Sequence, residues 1–295
     1  MTASAVPAER TAAGDYLELT KPRITLMNVL TALMGFMLAS PEAPIAWLLT
    51  ATLLGTALVA AGASALNMVI ERRTDALMRR TLDRPVPAGR LAASEAAAFG
   101  LALTTLGLAL LAWFSGALAA AVAAVTWLSY VLLYTPLKTR TSLATIVGAF
   151  PGALPPVIGW AAARHAIEPG AFVLFAIMFL WQIPHFLAIA WIYREDYARG
   201  GLPMLPVLDP EGRITGRQAV AHTLALVVVS LTPPVAGLAG GVYLWGALLL
   251  GCAFAGVAVA FAVQRDLVWA RRLFLSSLAY LVLLCVIFFL DRLHG

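Results

Sequence analysis

Charge is scarce in this chain. Asp, Glu, Lys and Arg together make up 12% of its 295 residues, about half the share of an ordinary globular domain. No long solvated run of one sign occurs. A soluble fold is excluded, and so is a nucleic-acid-binding surface, because the net charge of +5 is spread among apolar segments instead of forming a basic tract. Cysteine is nearly absent. Cys252 and Cys285 both lie inside apolar runs, where a thiol behaves as a small hydrophobe, so neither a disulfide framework nor a cysteine metal site is present. Residues 1–20 lack an apolar core and carry acids beside a few basic residues, which argues against a signal peptide or an Arg-rich transit peptide.

What is abundant is apolar surface: 61% of the residues are hydrophobic and the mean hydropathy is +0.88. A membrane-crossing helix needs roughly 20 mostly apolar residues. Nine stretches come close, at about 23–40, 44–66, 92–113, 117–136, 142–163, 170–193, 218–239, 242–263 and 273–291. Short turns at Ser40–Pro44, Phe114–Gly116 and Gly240–Gly241 separate pairs of them. The expected fold is an all-α integral membrane protein with nine transmembrane helices. Residues 1–22 form an N-terminal segment and 23–295 a single domain. Placing the chain start and every second connection on one side puts every Lys and Arg there except Arg164 and Arg292. By the positive-inside rule that side is cytoplasmic, so the N-terminus is inside and the C-terminus outside.

One polar segment interrupts this pattern. From Asn67 through Glu71, Asp75, Arg79, Arg80 and Arg84 to Arg90 it follows directly on the second apolar run. At about 100° per residue, Asn67, Glu71 and Asp75 fall near 0°, 40° and 80°, on one helical face with the carboxylates a turn apart. Oxygen ligands so arranged suit Mg²⁺, which takes one or two protein carboxylates and binds substrate phosphates. Arg79, Arg80 and Arg84 can grip phosphate oxygens. The plain alternative is a set of exposed ion pairs at a helix end.

Two more segments end spans in the same way. Trp181-Gln-Ile-Pro-His185-Phe leads to Arg194-Glu195-Asp196-Tyr197. His185 and Asp196 share a face if the helix continues, with His185 about 16 Å deeper. His185 could ligate a cofactor, shuttle a proton or bond a neighbouring helix. His222 is a weaker candidate, and His165 and His294 read as surface residues. Tyr134-Thr-Pro-Leu-Lys138-Thr-Arg140 offers a hydroxyl and two cations, or simple interfacial anchoring. The segment Gly148–Trp160 places small residues and prolines inside a span, where freed carbonyls can line a cavity.

Together these motifs resemble the UbiA-type membrane prenyltransferases, and within them the protoheme IX farnesyltransferase (heme O synthase) branch. The likeness runs from Leu19-Thr-Lys-Pro-Arg23 through Asn67–Arg90 and Tyr134–Thr141 to Trp181–Pro206. The middle acid of the first motif is usually Asp and here is Glu71. The second acidic motif reduces to Asp196, with Glu195 beside it, since Ile192 and Gly200 flank it at the usual spacing. The resemblance implies helices around a central cavity in a bacterial cytoplasmic (inner) membrane. It implies transfer of farnesyl from farnesyl diphosphate to the vinyl group of heme b, with addition of water and loss of diphosphate. Mg²⁺ is the implied cofactor, held by Asn67, Glu71, Asp75 and Asp196. Arg79, Arg80, Arg84, Tyr134, Lys138 and Arg140 then meet the diphosphate, and His185 with Trp181 lies on the heme side. The implied surroundings are the lipid bilayer, with heme A synthase or terminal-oxidase assembly factors as protein partners and no nucleic acid. The nearest rival acceptor is a quinone precursor or a chlorin. A transporter would carry its acids near the midplane, whereas these cluster at helix ends.

Overall fold

A backbone in lipid must satisfy its own polar groups, and in a chain this apolar the α-helix does so segment by segment. The computed structural model describes residues 11–40 and 45–294, with side chains to Asp291. Most of the expected Ser40–Pro44 turn, Arg10, and the side chains of Arg292 and His294 lie outside the described residues. The helices of six or more residues are α1 (Ala12–Leu19), α2 (Pro22–Ala39), α3 (Ala46–Asp75), α4 (Ala93–Ser115), α5 (Ala117–Leu137), α6 (Ala144–Arg164), α7 (Pro169–Ile192), α8 (Arg194–Arg199), α9 (Arg213–Ser230), α10 (Gly241–Gln264) and α11 (Leu267–His294). Among the described residues no strand occurs.

Eight of these helices, α2 to α7 with α10 and α11, are long and apolar enough to cross a membrane. The seventh expected span, 218–239, corrects to α9. That helix begins five residues earlier, carrying Arg213 and Arg217 into its first turns, and stops at Ser230. Pro233 and Pro234 explain the early stop, since proline cannot donate to a helix and disfavours the α conformation before it. In the other direction, α3 runs past its expected end at 66 and carries Asn67, Glu71 and Asp75 on one continuous helix. Helix α7 ends at Ile192, and Tyr193 breaks it from α8 (φ −108°, ψ 23°). The condition that would place His185 and Asp196 on one helical face is therefore not met.

Small residues set how closely the spans approach, as expected where lipid removes the hydrophobic drive between helices. Helix α3 meets α4 through Gly55 and Gly62 against Gly107 and Gly100, and a Cβ on Gly62 would lie 2.5 Å from the Gly100 carbonyl oxygen. Helix α2 lies against the second half of α6 in the same manner: a Cβ on Gly35 would sit 1.9 Å from the Pro156 oxygen, and one on Gly159 1.9 Å from the Ala32 oxygen. Helix α6 is interrupted at Leu154, ahead of Pro155 and Pro156. Gln182 of α7 reaches the segment just before the interruption, its Nε2 donating to the Ala149 oxygen (3.3 Å). Gln182 also lies against Gly152, where a Cβ would come within 2.0 Å of its Oε1, so the side chain packs tightly on the first half of α6.

Among the described residues two π-turns occur, Leu111–Ser115 at the end of α4 and Ser129–Tyr134 within α5. Each adds a residue to its turn and so rotates the next part of the helix about its axis. The second directly precedes Thr135 and Lys138, which face α3.

Because the Gly159 contact is backbone against backbone, it cannot relax by rotating a side chain. Gly159→Ala should lower the thermal midpoint in detergent by an amount matching about 2 kcal/mol or more. Gly256→Ala, with open space around its Cβ, should leave it unchanged or raise it. Equal midpoints for the two variants would contradict this packing.

Candidate active site

The site is built on the C-terminal end of α3. Asn67, Glu71 and Asp75 are all buried, at 2%, 6% and 0% exposure, and each faces a cation or a donor from a different part of the chain. Lys21 Nζ donates to Asn67 Oδ1 (2.6 Å). Lys138 Nζ bonds both oxygens of Glu71 (3.0 and 3.2 Å). Arg84 Nη1 donates to Asp75 Oδ2 (2.7 Å). The Asn67 amide is oriented by Thr135: its Nδ2 donates to Thr135 Oγ1 (3.0 Å), whose own hydrogen goes to the Tyr130 oxygen (2.8 Å). One buried atom of the ladder, Asp75 Oδ1, has no hydrogen-bond partner among the described residues.

Lys21 lies in the Leu19-Thr-Lys-Pro-Arg23 motif, but sequence reasoning assigned it no place in the site. It sits in the left-handed region (φ 46°) between α1 and α2, immediately before Pro22. Helix α1 holds it there. Leu19 packs into a cluster with Ala65, Met68, Val86, Leu91 and Ala96, and Arg90 donates to Asp15 (2.9 Å) and to the Asp83 oxygen (2.9 Å). Burial, and then the nearby positive charge of Arg84, push the Lys21 ammonium down to about 7. Burial also opposes the charge on Lys138, but the Glu71 carboxylate outweighs it and holds that ammonium above its ordinary value.

The connection from Ala76 to Ala92 folds over this end and is pinned to α8. Asp196 accepts a bond from the Arg79 amide (3.0 Å) and another from Arg199. Arg80 lies over the rings of Tyr193 and Tyr197, at 4.8 and 5.5 Å, and donates to the Tyr197 hydroxyl (3.3 Å). Met78 fills a cluster of Ala190, Tyr197, Leu202 and Met204. The two acidic segments are thus brought to the same end of the molecule, joined by Arg79. The side chains of Arg79 and Arg140 are exposed. Tyr134 stacks beside Tyr130 (5.4 Å) and lies along Gly148, where a Cβ would come within 2.5 Å of its ring.

His185 belongs to a separate group between α7 and α11. Its ring stacks on Trp181 and approaches Phe274, both at 5.0 Å, and Trp181 Nε1 donates to the Ser277 oxygen (2.6 Å). The Ser277 hydroxyl gives its hydrogen to the Phe274 oxygen (2.6 Å), so it must accept from His185 Nδ1 (2.7 Å). That bond leaves the lone pair on Nε2. Sequence reasoning missed Ser277; the Ser276-Ser277 pair inside an apolar run was the available signal.

Among the described residues, no three His, Cys, Asp or Glu side chains gather to hold a metal ion, so Asp196 does not join Glu71 and Asp75 in one cluster. The α3 residues by themselves fit Mg²⁺: the atoms that could ligate it are hard oxygens, one of them buried with no partner among the described residues, and this ion needs only one or two protein carboxylates.

Eight membrane-length apolar helices, with a buried ladder of oxygens and cations at the end of one of them, define a multi-pass integral membrane protein. A model of the UbiA prenyltransferase family matches residues 28–288, and the chain belongs to that family, a family of prenyl-transferring enzymes. It is 48% identical over 288 residues to a protoheme IX farnesyltransferase of Solibacter usitatus (strain Ellin6076), covering 94% of this chain and 98% of that one. It is 41% identical over 293 residues to another of the same name from Opitutus terrae (strain DSM 11246 / JCM 15787 / PB90-1), covering 98% of each. Among solved structures, a digeranylgeranylglyceryl phosphate synthase superposes with a TM-score of 0.81 at 17% identity, covering 96% of this chain and 99% of that one. A UbiA homolog from Archaeoglobus fulgidus bound to GPP and Mg²⁺ superposes with a TM-score of 0.65 at 17% identity, covering 93% and 99%.

Burial alone would raise the Asp196 carboxyl, but the bonds from Arg199 and the Arg79 amide outweigh it and hold it below the ordinary value. A depressed value in the folded state stabilises the anchored loop above the unfolded value, and the effect is lost as the pH falls through the folded one. Anchoring should therefore persist at neutral pH and loosen only below about pH 4. Asp196→Asn should raise hydrogen exchange at the Arg79 amide roughly ten-fold at neutral pH; unchanged exchange would remove Asp196 as the anchor.

Proposed function

We propose that this chain transfers a farnesyl group from farnesyl diphosphate to the vinyl group of heme b, with addition of water, giving heme O and releasing diphosphate. The observation that carries the reading is the α3 ladder: buried oxygens a turn apart, one of them unpartnered among the described residues, facing Lys21, Lys138 and Arg84. The name borne by the relatives supports heme as the acceptor, and the GPP and Mg²⁺ bound by the Archaeoglobus fulgidus homolog support an allylic diphosphate and a divalent ion.

Asn67, Glu71 and Asp75 would hold Mg²⁺, with Asp196 fixing the loop that closes over them. When bound, the ion supplies positive charge that lowers the cost of releasing diphosphate. Breaking the allylic carbon–oxygen bond puts negative charge on the departing diphosphate. Lys21, Lys138 and Arg84 are set to meet that charge as it develops. Arg80, ordered on two tyrosine rings, adds to them, and the exposed Arg79 and Arg140 extend the positive charge to the protein surface. Tyr134, with Tyr130, walls the ladder with aromatic surface that keeps water from the allylic cation until the vinyl carbon has attacked it. Water then adds at the adjacent carbon and loses a proton. His185, oriented by Ser277 and packed on Trp181, presents an Nε2 lone pair that can take a proton or ligate heme iron.

The same reading includes the membrane topology. Helix α9 acts as a seventh crossing among nine in a bacterial cytoplasmic membrane, with the N-terminus inside and the C-terminus outside, as the Lys and Arg distribution favours. A reporter fused after Gly295 should read as periplasmic; a cytoplasmic reading would overturn the count of nine.

Asp75→Ala should lower heme O formation in membranes by at least about 100-fold with protein still inserted, measured by mass spectrometry of extracted hemes. His185→Ala should change the heme absorption spectrum of the purified protein. Full turnover in the first variant would remove Asp75 from the site, and an unchanged spectrum with an unchanged rate in the second would reduce His185 to packing.

A further inference from the structure

The ladder on α3 is not open to a metal ion as it stands. Of the six side-chain oxygen and nitrogen atoms on Asn67, Glu71 and Asp75, all but Asp75 Oδ1 are already bonded to described residues. The cationic partners come from three separate elements: Lys21 from the junction before α2, Lys138 from the end of α5, and Arg84 from the loop over the site. Positive side chains here outnumber the two carboxylates.

A divalent cation arriving alone must either displace these groups from their oxygens or sit beside three like charges. Displaced, they have no other acid on α3 to turn to. A diphosphate arriving alone meets the cations but also the two carboxylates behind them. When ion and diphosphate arrive together, the oxygens pass to the ion and the cations turn to the anion, and every charge keeps a partner. Building on the function proposed above, we propose that Lys21, Lys138 and Arg84 are exchangeable counter-ions which occupy the metal's place in the free protein and transfer to the diphosphate, so that metal and prenyl diphosphate bind only as a pair. Lys21 becomes a diphosphate-positioning residue. Its reach to Asn67 depends on the docking of α1, which couples the N-terminal helix to substrate binding.

Calorimetric titration of the purified full chain in nanodiscs tests this. Mg²⁺ is added to the protein alone and to protein with an unreactive thiolo analogue of farnesyl diphosphate, corrected for ion–analogue association measured without protein. The expected result is at least ten-fold tighter Mg²⁺ binding when the analogue is present. Lys21→Met should tighten binding of Mg²⁺ alone several-fold while weakening the analogue, and Lys21→Arg, which keeps the charge, should retain the coupling. Equal Mg²⁺ affinity with and without the analogue overturns the proposal, and the wild-type comparison decides this whether or not a variant folds. Absence of binding by ion and analogue in every combination would instead overturn the diphosphate-dependent reading on which it rests.

Discussion

Glu71 and Asp75 leave water at the end of a membrane-length helix, and the chain around them is arranged to answer their charge. Desolvating a carboxylate costs several kcal/mol, and removing one partner from a buried pair costs about 3–5 kcal/mol. Each acid therefore fixes a distant piece of backbone: Glu71 holds the end of α5 through Lys138, and Asp75 holds the 76–92 connection through Arg84. Asn67 does the same for Lys21 and Thr135 without carrying charge. Elements far apart in sequence converge because three side chains on one helical face require them.

That convergence needs the spans to come close, and the glycine contacts permit it. With α4 against α3 at Gly62 and Gly100, and α2 against α6 at Gly35 and Gly159, helices approach to backbone distance. Lys21 and Lys138, on side chains of ordinary length, then reach the same face of α3. The broken helix α6 serves a related end. Its first half takes a hydrogen bond from Gln182, three residues before His185, so the helix that presents the histidine is registered against α6.

Much of this is legible in the sequence alone. The spacing of Asn67, Glu71 and Asp75 specified a shared face, and the continuous helix α3 provides it, because the charged residues of this segment find partners and do not unwind it. The Trp181–His185 motif likewise marked a group that the structure completes. Lys21, though part of the Leu19–Arg23 motif, was given no role because a single lysine before a proline at the start of a span reads as a topological charge. Its partner is fixed by the docking of α1, a tertiary event with no local pattern. Ser277 was hidden for the same reason, on a helix remote from His185 in sequence. The end of α9 was misjudged despite an available signal: the apolar residues beyond Ser230 continued the hydrophobic run, but Pro233 and Pro234 stop the helix whatever the hydropathy. Asp196 shows the limit of composition, since an acid among arginines looks the same whether it faces a ligand or clamps a loop.

The placement of α1 also carries a consequence for how the protein is made. Asp15 pairs with Arg90, 75 residues later, and Lys21 with Asn67, 46 residues later. Synthesis proceeds from the N-terminus, so α1 emerges from the ribosome well before either partner. It must wait, undocked, while the translocon receives the first two hydrophobic segments and the connection after them. The earliest of the described helices to be translated is then among the later ones to find its seat, and the ladder gains its first lysine only after α3 is already in the bilayer.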